Sequence, residues 1–346
     1  MIGKKGAAAA AAVLAFALAS AFCVSDALQP PVREAAETAS PPAGEAARGE
    51  ETLSAENPDS ARRDGVYTLL LAGRDDASGC TDTILLARLD TRRHRLDLVS
   101  IPRDTLVNLD WKVRKLNAVY AGTANGGGDA LEGLRRELRR LCGFSADACA
   151  VIDLELFAQA VDLLGGVEFE LTQAMDYDDE AQDLHIHLPE GRRRLSGREA
   201  EGLVRYRAGY VNGDLDRVEV QQRFMEAALS QFLSLGSVPK LPELAKLLAA
   251  HMDTDLTASN LLWLARQLLL CSREDLHFAT MPNEPVTVAG LSYTLVRPEE
   301  WLAMINERLN PFAAPIRLED LDLVYRDDGG FHATSGVLRG PEYYRQ

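Results

Sequence analysis

The sequence predicts an α/β domain in which a mixed central β-sheet is flanked by helices. Two observations favour this fold class. Short apolar segments with strand character stand close together after residue 66, and segments of helical periodicity alternate with further strands beyond them. Residues 67–72 form the first predicted strand, and residues 82–89 and 95–101 form the next two. A polar turn at 90–93 joins the last two, which predicts a hairpin beside the first strand.

The remaining elements are predicted from periodicity and from residues that begin or end helices. Apolar periodicity predicts helices at 113–121, 130–141, 154–164, 197–204, 241–251, 258–270 and 298–309, and a long helix that follows Asp214 and runs through 218–233. Further strands are expected at 148–152, 167–171 and 184–188. Ser196 and Asp214 are suited to cap the helices that follow them, as is either Asp255 or Thr257, and Gly165 suits a helix end.

The N-terminal segment decides the compartment of the protein. Residues 6–25 carry no charge and follow Lys4 and Lys5. A segment of this length can cross a bilayer, and the lysines keep the short side in the cytoplasm, which predicts a membrane anchor at 1–25. A cleaved signal peptide is the alternative, because residues 19–21 have the small-x-small pattern of a cleavage site. Both interpretations place the rest of the chain outside the membrane.

A linker and one large domain follow the anchor. Residues 26–65 are rich in Pro, Ala, Glu and Ser and contain almost no large apolar side chains, so a disordered linker is expected. The folded domain is expected at 66–310. The pattern weakens beyond it, and residues 311–346 remain an unassigned tail.

Charge and cysteine content restrict the function classes. Lys and Arg number 37 against 52 Asp and Glu, a net charge of −15, which argues against nucleic acid as a partner. Any polyanion must therefore be bound by a local patch. Cys142 and Cys149 are seven residues apart, and either a disulfide or two buried free thiols fits this spacing in an exported protein.

An arginine cluster at residues 203–224 is the strongest local signal for anion binding. Arg205, Arg207 and Arg217 surround Asp214 in an otherwise acidic chain. The planar guanidinium donates to phosphate oxygens in pairs and stays charged when partly buried, so the segment is interpreted as a phosphate clamp. An exposed basic helix with an internal Asp–Arg pair is the alternative.

Other polar motifs stand at the ends of the predicted strands, where a rigid scaffold usually places functional side chains. Each is a weak signal alone, because an aspartate there also caps turns and an arginine also lies on surfaces. The motifs are Gly-Arg-Asp with Arg74 and Asp75, Thr-Asp-Thr with Asp82, Ile-Pro-Arg-Asp with Arg103, and Lys-x-Asn with Lys115 and Asn117.

Taken together and in this order, the motifs are specific enough to indicate one protein family. They continue with VDLLGGV at 161–167, Gly-x3-Leu-x-Gly at 191–197, and the arginine segment ending in Gln221. The sequence resembles the LytR-CpsA-Psr (LCP) family of cell-wall enzymes over residues 67–235, and more loosely to residue 309. An N-terminal anchor followed by a spacer is also similar to this family.

The resemblance implies an extracytoplasmic phosphotransferase. It would move a glycan-phosphate from a polyprenyl-pyrophosphate carrier to peptidoglycan, with Mg²⁺, in a Gram-positive-type envelope where the chain crosses the membrane once. Two alternatives use the same site. One is a pyrophosphatase acting on lipid-linked pyrophosphates, and the other is a non-catalytic protein that binds polyprenyl phosphates and has a regulatory role.

The resemblance also assigns roles to individual residues. Asp75 and Asp82 would hold the magnesium, since Mg²⁺ prefers hard oxygen ligands. The pyrophosphate would be bound by arginines, with Asp214 ordering them: Arg103, Arg205, Arg207 and Arg217. The remaining residues expected to contact the substrate are Lys115, Asn117, Gln221 and Arg74.

Two positions depart from the family pattern. Many relatives carry an arginine where this chain has Cys80, and another where it has Val220, which leaves Arg74 or Arg223 as possible substitutes. The lipid half of the substrate needs a groove, and a set of apolar residues is suited to line it, with ordinary core packing as the alternative: 69–71, 84–86, Val161, Leu163, Leu164, Phe224, Leu229 and Phe232. His185 and His187 share one face of a predicted strand and are interpreted as surface or packing residues.

Overall fold

The computed structural model describes residues 28–32, 61–75, 78–180, 184–206, 214–232 and 238–345. The predicted anchor at 1–25 and most of the predicted linker lie outside these ranges. Across the part of the chain that is described, no helix combines the length and the hydropathy needed to span a membrane.

Strands and helices alternate along the domain as the fold class requires. The strands are β1 (Val66–Arg74), β2 (Thr81–Asp90), β3 (Arg95–Ser100), β4 (Ala148–Asp153), β5 (Val167–Leu171), β6 (Met175–Asp179), β7 (Leu184–Leu188), β8 (Gly191–Leu195), β9 (Asp253–Thr254), β10 (Leu276–Thr280), β11 (Asn283–Val288), β12 (Leu291–Val296), β13 (Val324–Asp327) and β14 (Gly330–Ala333). The helices are α1 (Asn117–Asn125), α2 (Ala130–Cys142), α3 (Leu154–Leu164), α4 (Gly197–Arg205), α5 (Asp214–Phe232), α6 (Leu241–His251), α7 (Ala258–Leu268) and α8 (Pro298–Met304).

A six-stranded mixed sheet with the order β10-β3-β2-β1-β4-β9 forms the centre of the domain. The predicted hairpin is confirmed, since β2 pairs antiparallel with both β1 and β3. β4 runs parallel to β1, and β10 runs parallel to β3. The mixed α/β class is therefore confirmed, and the remaining strands form two-stranded ribbons at its periphery.

Alternate residues of the central strands enter two separate cores. In β1, Leu69 and Leu71 join the core formed with α3 to α7, whereas Leu70 and Ala72 join the core formed with α1, α2 and α8. A strand with both faces buried has a continuous apolar sequence, which explains why β1 shows no polar alternation. The sheet is thus the middle of three layers, and its ends are the places where polar side chains reach solvent.

Capping residues set the helix ends that matter for the site. Ser196 and Glu199 form a capping box at the start of α4, and Thr257 and Asn260 form one at the start of α7. Gly197 also lets α4 approach α3 closely, because a Cβ there would lie 2.0 Å from the Ala158 carbonyl oxygen. These contacts fix the start of α4, whose last residue is Arg205.

One predicted helix start was wrong, and one predicted helix changes its type within the predicted bounds. Residues 113–116 are not helical, because Arg114 and Lys115 pair with the extended segment at Leu106 and Val107, and α1 therefore begins at Asn117. The helix predicted at 298–309 changes after Met304 into a π-helical turn at Ile305–Leu309.

The tail, which the sequence left unassigned, packs against the domain. β13 and β14 form a hairpin, and Val324 joins a third core with Leu106 and Tyr293. Asp322 is buried against the Arg140 guanidinium of α2 and accepts a 2.7 Å hydrogen bond from the Asn108 side chain. Buried ionic and polar contacts of this kind hold the tail in one position.

The structure decides between the two interpretations of the cysteine pair. Cys142 and Cys149 are both free and buried, so the disulfide interpretation was wrong. Burial raises the pKa of the Cys142 thiol, and burial likewise raises the pKa of the Cys149 thiol to about 12 despite the nearby Arg135 guanidinium. A protonated, buried thiol is a poor nucleophile.

We expect Cys142 and Cys149 to resist labelling by a thiol reagent at pH 8 in the folded protein. Unfolding in guanidinium should expose both to rapid reaction, and mass mapping of the labelled peptides would measure this. Partly exposed Cys80 serves as the positive control in the same sample. A Cys142–Cys149 disulfide in the purified protein, or fast native labelling of either thiol, would contradict the structure.

Candidate active site

Four strand ends meet at one edge of the central sheet. β1 ends at Arg74 and β4 ends at Asp153, and these two residues are register partners. β2 begins at Thr81, opposite Arg74, because it runs antiparallel to β1. β3 ends at Ser100 on the same side. The polar residues that follow β1 and β3 and those that begin β2 are therefore brought together.

Four charged residues at this edge form what we call the ion-pair ladder: Asp82, Arg103, Asp104 and Lys115. The Arg103 guanidinium donates to Asp82 Oδ1 at 2.8 Å, and its Nε lies 3.7 Å from Asp104 Oδ2. Lys115 Nζ lies 2.8 Å from Asp104 Oδ1. The four side chains are 23–34% exposed, so a solute can reach them while water screens them only in part.

Main-chain hydrogen bonds fix the segment that carries the ladder's cations. The Asn117 amide donates to the Arg103 carbonyl, and the Leu116 amide donates to the Thr105 carbonyl, each at 2.9 Å. The Asn117 carbonyl accepts a 3.4 Å bond from the Thr81 hydroxyl of β2. Asn117 thus joins the start of α1 to β2 through its backbone.

Tyr293 is a contact of the ladder that the sequence analysis missed. It lies on β12 with 1% of its surface exposed, and the Lys115 ammonium stands 5.6 Å from the centre of its ring. No sequence signal connected the two, because they are far apart in the chain and Tyr293 occupies an ordinary strand position.

Asp75 occupies the turn between β1 and β2. Its amide donates to the Cys80 carbonyl at 2.9 Å, and its carboxylate accepts from the Ser78 amide at 3.1 Å and from the Ser78 hydroxyl at 2.8 Å. Asp82 lies two residues beyond Cys80, near the start of β2. The turn-capping role that the sequence left open for Asp75 is therefore observed, and it leaves the carboxylate at the same edge as Asp82.

Arg74 ends β1 beside the start of α3. Its guanidinium lies 3.4 Å from Asp153 Oδ2, while Oδ1 of the same carboxylate caps α3 by accepting from the Leu156 amide. On the other side of the sheet, the Tyr120 hydroxyl of α1 donates to Asp253. Burial, followed by that hydrogen bond, raises the pKa of Tyr120 above its ordinary value.

The arginine segment is described only in part. Arg205 ends α4 and donates to Glu201 one turn earlier at 2.9 Å. Arg207 lies outside the described residues. α5 begins at Asp214, and its backbone carries Arg217 and Gln221, whose side chains, like that of Asp214, lie outside what the structure describes.

The two departures from the family pattern have different surroundings. Val220 is 8% exposed and packs in the core beneath α5, which suits its apolar side chain. Arg223 donates to the Glu170 carbonyl at 2.9 Å and lies over the Phe169 ring, so its guanidinium is engaged on β5. Cys80 is partly exposed in the turn next to Asp75.

Most of the apolar residues considered for a lipid groove pack as ordinary core, and the Phe232 side chain lies outside what the structure describes. Residues 69–71, 84–86, Val161 and Phe224 are at most 2% exposed and belong to the two main cores. A cavity of about 450 Å³ lies elsewhere on the surface and is lined by Glu168, Phe169, Glu170, Arg223, Glu226, Ala227, Ser230, Leu276 and Phe278. Its lining combines aromatic rings with three glutamates.

The two histidines pair with aspartates on the neighbouring strand. His185 Nδ1 lies 2.7 Å from Asp178 Oδ1, and His187 Nδ1 lies 2.5 Å from Asp176 Oδ1, in register across the β6–β7 ribbon. Over the described ranges, no group of three or more His, Cys, Asp or Glu side chains is placed to hold a metal ion. The interpretation of His185 and His187 as surface residues agrees with this geometry.

Comparison with known proteins identifies the family. The family model LytR_cpsA_psr matches residues 34–310, which is most of the chain. The chain therefore belongs to the LytR_cpsA_psr family, as its motifs predicted.

Two relatives are 27% and 28% identical to the chain over the residues that align. Regulatory protein MsrR of Staphylococcus aureus is 27% identical over 227 residues, which cover 64% of this chain and 66% of MsrR, just under two thirds. The protein named polyisoprenyl-teichoic acid–peptidoglycan teichoic acid transferase TagU, from Oceanobacillus iheyensis, is 28% identical over 247 residues, which cover 69% of this chain and 73% of TagU. A LytR-Csp2A-Psr enzyme of Actinomyces oris has the same fold, with a TM-score of 0.57 and 22% identity. The match covers 73% of this chain and 93% of the Actinomyces chain.

We expect His187 to titrate above the ordinary histidine value of about 6.5. The hydrogen bond to Asp176, assisted by the charge of Asp178, raises the pKa of His187. The pair therefore stabilises the folded protein fully below about pH 6.5, and this contribution is lost as the pH rises through the raised pKa. NMR titration of the ring would measure it, and Asp176→Asn should lower the midpoint.

An exposed carboxylate outside the ribbon provides the control for this titration. Asp328→Asn, in the β13–β14 turn, should leave the His187 midpoint unchanged. A midpoint at or below the ordinary value in the unmodified protein would contradict the pairing seen across β6 and β7.

Proposed function

We propose that this protein transfers a glycan-phosphate from a polyprenyl-pyrophosphate carrier to peptidoglycan outside the membrane. The observation that carries the proposal is the ion-pair ladder, two cations held by two carboxylates at the edge of an LCP-type sheet. The name of the Oceanobacillus relative, a teichoic acid transferase acting between a polyisoprenyl carrier and peptidoglycan, supports this substrate class.

Phosphoryl transfer depends on positioning and on neutralising charge. Arg103 and Lys115 would bind oxygens of the pyrophosphate. To do so, those oxygens must displace the carboxylates of Asp82 and Asp104 from the two cations. Arg205, Arg207 and Arg217 would complete the binding set, with Asp214 ordering them. Arg74, Asn117 and Gln221 are proposed to contact the substrate from neighbouring strand and helix ends.

The proposed reaction is a displacement at phosphorus. The hydroxyl oxygen of the acceptor sugar forms a bond to the phosphorus that carries the glycan, and the bond from that phosphorus to the bridging oxygen breaks. Polyprenyl monophosphate leaves with the bridging oxygen. The proton of the acceptor hydroxyl passes to a base, for which Asp82 and Asp104 are candidates because they lie beside the two cations.

Magnesium fits the residues at this edge. Mg²⁺ usually takes one or two carboxylates and completes its shell with phosphate oxygens and water. Asp75 and Asp82 would supply those carboxylates from the two sides of the β1–β2 turn. When bound, the ion would offset phosphate charge. A cluster of three protein ligands, which the described residues do not form, is not needed for such a site.

The proposed location follows from the N-terminal sequence. A single membrane anchor at 1–25 would hold the domain at the outer face of a Gram-positive-type cell membrane, next to its lipid-linked donor. The folded domain and the tail would then both lie on the side where peptidoglycan is assembled.

We expect Arg103→Ala and Arg207→Ala to lower transfer on the order of 10³-fold, by analogy with other arginines that stabilise phosphoryl transfer. The assay incubates the full-length protein with a donor labelled in its glycan-phosphate and with peptidoglycan, and measures label bound to the wall polymer. Arg92→Ala is the matched control, because Arg92 lies in the β2–β3 turn at the opposite end of the sheet with 69% of its side chain exposed.

The same assay separates the alternatives. Release of free glycan-phosphate without labelled peptidoglycan would show that the protein is a pyrophosphatase and not a transferase. Tight donor binding with no turnover in Mg²⁺ would favour a binding and regulatory role. Full transfer activity in Arg103→Ala would show that the ion-pair ladder is not part of the active site.

We expect transfer to stop in EDTA and to return when Mg²⁺ is added. Asp82→Asn should raise the Mg²⁺ concentration for half-maximal rate by at least about tenfold, because even outer-shell changes cost that much metal affinity. Asp64→Asn is the control, since Asp64 pairs with Arg92 away from the site. An unchanged Mg²⁺ dependence in Asp82→Asn would exclude Asp82 as a ligand.

A further inference from the structure

The C-terminal tail beyond the family match packs against the segment that carries Arg103 and Lys115 of the ion-pair ladder. The family model ends at residue 310, yet Tyr343 and Tyr344 pack in a small core with Leu106 and Tyr293. That core lies under the segment 103–117, which carries Arg103 and Lys115.

Arg114 binds the tail to the ladder segment. Its guanidinium lies 4.3 Å from the centre of the Tyr343 ring and 4.9 Å from that of Tyr344. It also donates to the carbonyl oxygens of Arg339 at 2.6 Å and Gly340 at 3.3 Å. With only 3% of its surface exposed, Arg114 is committed to the tail, and the next residue in the chain is Lys115.

The backbone at Gly340 is shaped for this contact. Gly340 has a φ of +49°, and a Cβ there would lie 2.4 Å from Arg114 Nη2. The close approach of Arg114 to the chain thus requires glycine at this position. The contact between the tail and Arg114 is therefore a specific one.

Tyr293 completes the connection from the tail to Lys115. Its hydroxyl is hydrogen-bonded to that of Tyr343 and accepts from the Arg114 amide at 3.3 Å. Its ring stands 5.6 Å from the Lys115 ammonium, and such cation–ring contacts favour one ammonium position. The next residue, Thr294, donates its amide to the Asp104 carbonyl at 2.9 Å.

We propose that Tyr293 and Tyr343 are positioning residues for Lys115, so that the tail orders the site. Tyr343 fixes the Tyr293 ring, the ring and the Asp104 carboxylate both hold the ammonium, and Lys115 then binds the pyrophosphate of the donor. This inference rests on the proposed function, in which Lys115 binds that pyrophosphate.

The test is a double-mutant cycle between Tyr343→Phe and Lys115→Ala. The single change Tyr343→Phe removes one hydroxyl and keeps the ring against Arg114, and it should lower kcat/KM for the lipid pyrophosphate roughly three- to tenfold, the effect of one hydrogen bond. In the Lys115→Ala background the same change should have no further effect, because its target is gone.

Tyr325→Phe is the matched control. It makes the same chemical change in the same tail, on β13, where the Tyr325 ring packs against His332 and not against Arg114. It should leave kcat/KM unchanged. Thermal unfolding of every variant is measured in parallel, and the cycle is repeated on the Kd of a short-chain polyprenyl pyrophosphate by calorimetry.

The outcomes separate this inference from the proposed function. An equal loss from Tyr343→Phe with and without Lys115 would overturn the positioning role and leave the proposed function standing. No loss from Tyr343→Phe would overturn it as well. If Lys115→Ala itself changed neither kcat/KM nor Kd, Lys115 would lie outside the site and the proposed function would lose this residue.

Discussion

The ion pair between Arg103 and Asp82 joins the two strand ends from which the candidate site is built. Asp82 is the second residue of β2 and Arg103 follows β3, and their 2.8 Å contact exists only because these strands pair in the observed register. A shift of that register by one residue would turn every side chain of β2 to the other face and separate the charges. The apolar core of the sheet therefore determines the geometry of the polar edge.

Positive charge is concentrated at the candidate site although the chain as a whole is acidic. The protein carries a net charge of −15, yet its ladder holds an arginine and a lysine at one edge of the sheet. Each cation is balanced by an aspartate, which keeps it ordered, and a pyrophosphate has to replace those aspartate contacts to bind. The partial exposure of the four side chains lets such an exchange take place at moderate desolvation cost.

Four of the six central strands and the long helices could be predicted because burial leaves an apolar run or an apolar periodicity in the sequence. Short apolar runs predicted β1 to β4 and helical spacing predicted α2 and α3, whereas β9 and β10 of the same sheet were not predicted. β6 and β8 were missed, since the sequences MDYDD and GRRRL are mostly charged and belong to exposed two-stranded ribbons. Motif order identified Asp82, Arg103 and Lys115, whereas Tyr293 and Arg114 act through contacts distant in the chain that no local pattern records.

The most direct test of the account is a crystal structure of the protein with Mg²⁺ and a polyprenyl pyrophosphate. The expected result places the pyrophosphate within hydrogen-bond distance of Arg103 and Lys115, with the Arg103–Asp82 contact opened and Asp82 directed to the metal. A pyrophosphate bound elsewhere, with the ion-pair ladder intact beside it, would contradict the assignment of this edge as the active site.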